Sequence, residues 1–134
     1  MTEYIEILLR LVLATVAGGL VGLEREVVHK PAGIRTHMLV SLGSALFGLI
    51  TIEQLPNEAA RIIAGIATGI GFLGAGTIFK AKDEVHGLTT AASVWAVAAI
   101  GLSIGFGYYL MTLISVILIL LILQLNKFEF FRKL

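Results

Sequence analysis

Side chains able to do chemistry gather in two short stretches of this 134-residue chain. The first, Gly22 to His37, holds Glu24, Glu26, Arg25, Lys30, Arg35, His29 and His37. The second, Lys80 to Gly87, holds Lys80, Lys82, Asp83, Glu84 and His86. Hard divalent cations take oxygen ligands, and the smaller of them keep several waters and use only one or two carboxylates. Glu24, Glu26 and Asp83 are therefore the candidate cation-facing residues, with Glu84 beside them. Arg25, Lys30 and Arg35 are expected to order the first stretch and set its field, with Gly33, Thr36 and His37 as further candidate loop residues. The spacing of the three histidines matches no standard transition-metal site. The chain has no cysteine and no serine in a strand-to-helix elbow, so the expectation is a protein that is not an enzyme and carries no resident cofactor.

The elements that must position these residues are apolar. The chain is 57% hydrophobic and only 14% charged, with a mean hydropathy of +0.96. A soluble domain has about a quarter of its residues charged, so this chain cannot cover a soluble surface. The expected fold is an all-α membrane protein, a single transmembrane domain over 1–134 with five helices at about 4–23, 36–55, 59–79, 88–104 and 108–125. Each is near the roughly 20 residues that a span needs. Net charge is +1, which suggests no nucleic-acid partner. The first apolar run is flanked by Glu3 and Glu6 rather than a basic leader, so it is expected to be a retained helix.

Small residues predict how the helices meet. Gly18 with Gly22, and Ser44 with Gly48, have the spacing that lets helices approach closely. The third helix carries Gly65, Gly69, Gly71, Gly74 and Gly76 on more than one face, which predicts a helix packed on several sides near the bundle centre. The run Gly71 to Gly76 either continues as helix or unwinds to line a cavity. Thr89, Thr90 and Ser93 are expected to bond across to neighbouring helices. Trp95 lies inside a span and is expected to be a packing residue. Arg10 either pairs with Glu6, four residues earlier, or faces a cavity. Glu24, at a helix end, needs a cationic partner, for which Arg35 and Lys80 are the candidates. The tail from Lys127 to Lys133 mixes bases with aromatics, as an interfacial anchor does.

Five spans sort the basic residues. Arg25, Lys30, Arg35, Lys80, Lys82, Lys127, Arg132 and Lys133 fall to one face, Arg61 alone to the other, and Arg10 lies within the first helix. The positive-inside rule then places the N-terminus outside and the C-terminus in the cytoplasm. The small-residue faces exceed what five short helices can cover among themselves, which predicts a homo-oligomer in the bilayer.

Four blocks in order, Gly22–Glu26, Lys30–His37, Gly71–Gly76 and Gly87–Ala92, resemble the signature blocks of the MgtC/SapB family, over about Gly18 to Ile104. The resemblance implies a bacterial inner-membrane protein of Mg²⁺ homeostasis. The expected function is Mg²⁺-linked transport, and the alternative is a non-transporting regulator that binds another membrane complex, such as the F-type ATP synthase. Mg²⁺ would then be the transported or sensed ion. Many members carry a soluble cytoplasmic domain after the last span, and the expectation here is the transmembrane domain without it.

Overall fold

A computed structural model of the chain describes residues 1–128. It contains helices α1 (Thr2–Val27), α2 (Ile34–Gln54), α3 (Ala59–Ala75), α4 (Leu88–Gly105) and α5 (Tyr109–Gln124). Short 3₁₀ turns, Pro56–Glu58 and Leu125–Lys127, precede α3 and follow α5. A small antiparallel hairpin of β1 (Phe79–Ala81) and β2 (Glu84–His86) lies between α3 and α4. Five helices are long and apolar enough to cross a membrane, so the protein is a multi-pass membrane protein. Hydrocarbon offers backbone groups no partner, which is why apolar runs of this length close their own hydrogen bonds as helices.

Two boundaries differ from expectation. Helix α1 continues four residues past the apolar run, through Val27. It stops in a Schellman turn: His29 takes the left-handed conformation (φ 56°), its N–H donates to Glu26 O, and the Lys30 N–H donates to Arg25 O. At the other extreme, α3 ends at Ala75, not Phe79. Gly76, Thr77 and Ile78 turn back on the last helical carbonyls, and the two-residue turn Lys82–Asp83 closes the hairpin. Gly87 (φ 89°) then starts α4, and a Cβ there would strike Thr77 O. The run Gly71–Ala75 stays helical, so the local unwinding does not occur. The expected tail anchor lies largely outside the described residues.

The centre of the bundle is α2, held by α1 on one side and α4 on the other. A Cβ built on Gly18 would collide with the His37 carbonyl, and one on Gly22 would lie 2.6 Å from Ile34 Cα. On the other side, a Cβ on Gly101 would collide with the Ser41 carbonyl, and one on Gly105 would sit 2.5 Å from Ala45 O. A Cβ on Gly48 would lie 3.2 Å from Gly105 Cα. These contacts make α1 antiparallel to α2, and α2 parallel to α4. Ala14, Val21, Val94 and Val97 fill the remaining interior with no exposed surface. Helix α5 lies against α4, where Ser103 and Thr112 hydroxyls meet at 2.6 Å. Its other faces, with Leu110, Leu113 and Leu121, are exposed to lipid.

Helix α3 is not central. Among its residues only Gly74 is buried, 3.3 Å from Ala91 O by its added Cβ, whereas Cβ atoms on Gly65, Gly69 and Gly71 would meet nothing within 4 Å. Glycine spacing shows which residues are small but not whether a neighbour stands opposite, and here none does. Trp95 is likewise half exposed on the outer surface rather than packed inside. Arg10 pairs with Glu6, as the first alternative held, and also donates to the Gly105 carbonyl at 2.8 Å. It thereby ties α1 to the C-terminal end of α4, where a cation opposes the negative end of the helix dipole.

Adding one methyl group separates these two kinds of glycine. Gly101→Ala forces α2 and α4 apart and should cost about 1–3 kcal/mol. Gly65→Ala removes only backbone freedom and should be neutral or stabilising by up to ~1 kcal/mol. Thermal unfolding of both variants in mild detergent, followed by circular dichroism, checks this; a neutral Gly101→Ala would refute the close α2–α4 contact.

Candidate functional site

At the end of the bundle where α1 finishes and α2 and α4 begin, charged and polar side chains are buried together. Glu24 and Arg25 occupy the last turns of α1. Their side chains are 10% and 5% exposed, and Arg25 Nε and Nη2 each reach Glu24 Oε2 at 2.5 Å. Consecutive helical residues point about 100° apart, so Arg25 must fold back to make this pair. The partner of Glu24 is thus Arg25, not Arg35 or Lys80, because the helix extends far enough to bring both into the bundle. The other carboxylate oxygen, Oε1, is buried and has no hydrogen-bond partner. A buried carboxylate oxygen without a partner is costly, and it marks where a cation, a water or a donor from another molecule would be taken.

His37 stands in the first turns of α2 and has no exposed surface. Gly22 faces it, the added Cβ lying 2.9 Å from His37 Cβ. Arg25 is three residues further along the same face of α1, within electrostatic reach of the ring. His37 Nδ1 lies 2.8 Å from Gly33 O and donates to it. Nε2 lies 3.0 Å from Ser93 Oγ on α4, and the same hydroxyl is 2.8 Å from Thr90 O. The Ser93 proton thus has two acceptors. With a neutral ring it goes to Nε2. With a protonated ring Nε2 donates to Oγ, and the hydroxyl proton turns to Thr90 O. Both ring nitrogens of His37 are paired in either arrangement. One turn along α2, Ser41 Oγ is also fully buried and without a partner.

The loop between α1 and α2 has its own support. Gly33 precedes α2 and has no capping side chain. Glu26 reaches across instead, its Oε2 accepting the Ile34 N–H at 2.7 Å. A Cβ on Gly33 would meet that oxygen, so a larger residue there would displace the Glu26 side chain from its cap. Beyond it lies a cleft of about 350 Å³ lined by His29, Lys30, Arg35, Thr36 and Glu26.

The structure therefore brings Glu24, Arg25, His37, Thr90 and Ser93 into one cluster and places Glu26, Lys30, Gly33, Arg35 and Thr36 around the adjoining loop. Asp83 sits apart, exposed in the hairpin turn. Glu24, Glu26 and Asp83 do not converge, and among the described residues no three His, Asp or Glu side chains stand as a metal-holding group. Thr89 is exposed at the start of α4. Gly65, Gly69, Gly71 and Gly76 lie away from the cluster, while Gly74 touches α4 beneath it. Sequence inspection missed Ser41, which sits four residues from His37, and Gly101, which sits four residues before Gly105. In both cases the spacing was the available signal.

This architecture defines a class: a small, multi-pass helical membrane protein with a buried ion pair and histidine at one end. The MgtC family model matches residues 11–129, and the chain belongs to the MgtC family. The putative magnesium transporter YhiD of Escherichia coli (strain K12) is 40% identical over 128 residues, covering 89% of this chain and 60% of the relative. Protein SrpB of Synechococcus elongatus is 38% identical, covering 91% and 75%. Protein MgtC of Salmonella typhimurium is 42% identical, covering 84% and 49%. The chain thus spans about half to three quarters of the length of these relatives. No solved structure matches it.

The Ser93 contact is testable by itself. Ser93→Ala removes the buried partner of His37 Nε2 and should cost about 1–3 kcal/mol. Thr68→Ala, at an exposed hydroxyl bonded only to its own helix, should change stability by less than about 0.5 kcal/mol. Equal melting temperatures for the two variants would show that the His37–Ser93 bond does not hold α2 to α4.

Proposed function

We propose that this protein acts in Mg²⁺ homeostasis in the bacterial inner membrane, and that it regulates a membrane partner rather than conducting the ion alone. The magnesium link rests on the family and on the name of the YhiD relative. One observation carries the choice of regulator: the backbone carbonyl oxygens a conducting path would need are already engaged. Thr68 donates to Ala64 O, Thr77 to Gly74 O, and Ser93 lies against Thr90 O. Helix α3 keeps its backbone ladder through Ala75, so no carbonyls are freed for a partly dehydrated cation. Dehydration of Mg²⁺ is costly, and it needs several such oxygens. The exposed apolar face of α3 suits contact with another membrane protein, either a second copy or a complex such as the F-type ATP synthase that the family resemblance implies.

Mg²⁺-linked transport is the second reading, and the free Glu24 Oε1 favours it, because an unpartnered buried carboxylate oxygen attracts a cation. Purified protein in liposomes loaded with a Mg²⁺ indicator discriminates between the two. The expected result is no flux above protein-free vesicles, together with recovery of a stable membrane partner from native membranes. Mg²⁺ flux from correctly folded protein would establish transport instead. In either case Glu24→Gln, which weakens the pair with Arg25, should abolish support of growth in low Mg²⁺ at near-normal expression. Full growth would remove Glu24 from the site.

The orientation follows from charge. Arg25, Lys30, Arg35, Lys80 and Lys82 share one end of the bundle, and Arg10 and Arg61 lie at the other, so the more basic end is proposed as cytoplasmic. Single cysteines at Asn57 and Asp83 should be labelled from opposite sides, Asn57 from outside. Labelling of both from outside would overturn the five-span arrangement.

A further inference from the structure

Two cavities lie along one face of α2, and they differ sharply in chemistry. At the basic end is the 350 Å³ cleft with Lys30, Arg35 and Thr36 on its walls. Its one carboxylate, Glu26, is turned to the Ile34 N–H, and against it stand two cations, so the lining carries a net positive charge. Lys30 and Arg35 are exposed and have no ion-pair partner among the described residues. The Schellman turn at His29 fixes where Lys30 projects from the end of α1. One helical turn further on, Leu39 and Val40 begin a second cavity of about 790 Å³ between α2 and α3, walled almost wholly by apolar side chains. Arg35 and Leu39 are four residues apart, as are Thr36 and Val40, so the two cavities are successive stretches of one helix face.

The apolar groove is open because small residues form its sides. Gly43, Gly65 and Gly69 line it, and a Cβ on any of them would meet nothing within 4 Å. From Leu39 to Leu55 it runs about 24 Å along α2 at 1.5 Å per residue, more than the roughly 15 Å of one leaflet's hydrocarbon. A void at this depth is filled by whatever the membrane supplies. Its mouth selects the occupant: two free cations and a hydroxyl at the level where α1 and α2 leave the hydrocarbon match a phosphate, not the apolar side chains of a docked helix.

We propose that the cleft and groove together form a binding site for one anionic phospholipid. Its phosphate lies between Lys30 and Arg35, with Thr36 donating to it, and an acyl chain runs down the groove past Gly43 and Gly69. The site is distinct from the buried Glu24–Arg25–His37 cluster and uses none of its side chains.

The test is native mass spectrometry of the full chain in detergent, titrated separately with dioleoyl phosphatidylglycerol and dioleoyl phosphatidylcholine, with thermal melting as a check on folding. One phosphatidylglycerol should be retained per chain, about tenfold more strongly than phosphatidylcholine. Lys30→Gln with Arg35→Gln should erase the preference. Gly69→Leu should fill the groove and cut retention of both lipids several-fold with every charge in place, and Gly43→Leu, at an independent open position, should do the same. Glycerol 3-phosphate, the headgroup phosphate without chains, should not compete at equal concentration. Equal retention of the two lipids, insensitivity to the charge variants or to both groove variants, or full competition by glycerol 3-phosphate would overturn the proposal.

Discussion

The structure depends on how closely the backbone of α2 is approached from two sides. In a bilayer no hydrophobic force drives helices together, because lipid is as apolar as their side chains. What remains is dispersion between surfaces in contact and hydrogen bonding where polar groups meet. Gly18 and Gly22 bring α1 onto the His37–Ser41 stretch, and Gly101 and Gly105 bring α4 onto Ser41 and Ala45. Every later feature of the site follows. Without the α1 contact, Arg25 would not reach the vicinity of His37. Without the α4 contact, Ser93 would not reach Nε2. The glycines carry no chemistry, yet they set the distances at which chemistry is possible.

The buried polar cluster is the counterpart of this tight packing. An ion pair removed from water gains stability only when its remaining lone pairs and protons are met. Arg25 meets one oxygen of Glu24 and leaves the other unmatched. His37 is met on both ring nitrogens. One member of the cluster is therefore satisfied and another is held short of satisfaction, an arrangement that suits a responsive site better than a structural brace. Arg10 shows the contrast at the opposite end, where Glu6 and the Gly105 carbonyl hold it as a tie between helices.

Much of the fold was legible in the chain because hydropathy reports a span directly. Five apolar runs became five helices, and Gly18, Gly22 and Gly48 pack as their spacing implies. The boundaries that moved did so for local reasons. Glu24, Arg25 and Glu26 look like the start of a loop, yet they stay helical because the first two are buried against the bundle and the third caps α2. Helix α3 was misplaced because a residue's size says nothing about its neighbour. The glycines that bear on contact, Gly101 and Gly105, stood among many apolar residues without polar markers. The site was half visible. Glu24, Arg25, His37, Thr90 and Ser93 stood out by type, whereas the pairing of His37 with a serine 56 positions away has no trace in local sequence. The choice of Arg25 over Arg35 or Lys80 depended on where α1 stops.

Helices α2 and α4 run parallel, so their N-terminal ends lie side by side at the basic end of the bundle. Each carries a partial positive charge of about half an elementary unit from its aligned peptide dipoles. Helices α1 and α3 end there too, and the negative poles of their dipoles offset this charge, leaving a fixed pattern of alternating poles rather than a net charge. Substitution of side chains cannot remove it. His37 thus stands near a positive pole and Glu24 near a negative one before any lysine or arginine is counted. Arg25, in the last turn of α1, therefore sets its charge against both the Glu24 carboxylate and the end of its own helix.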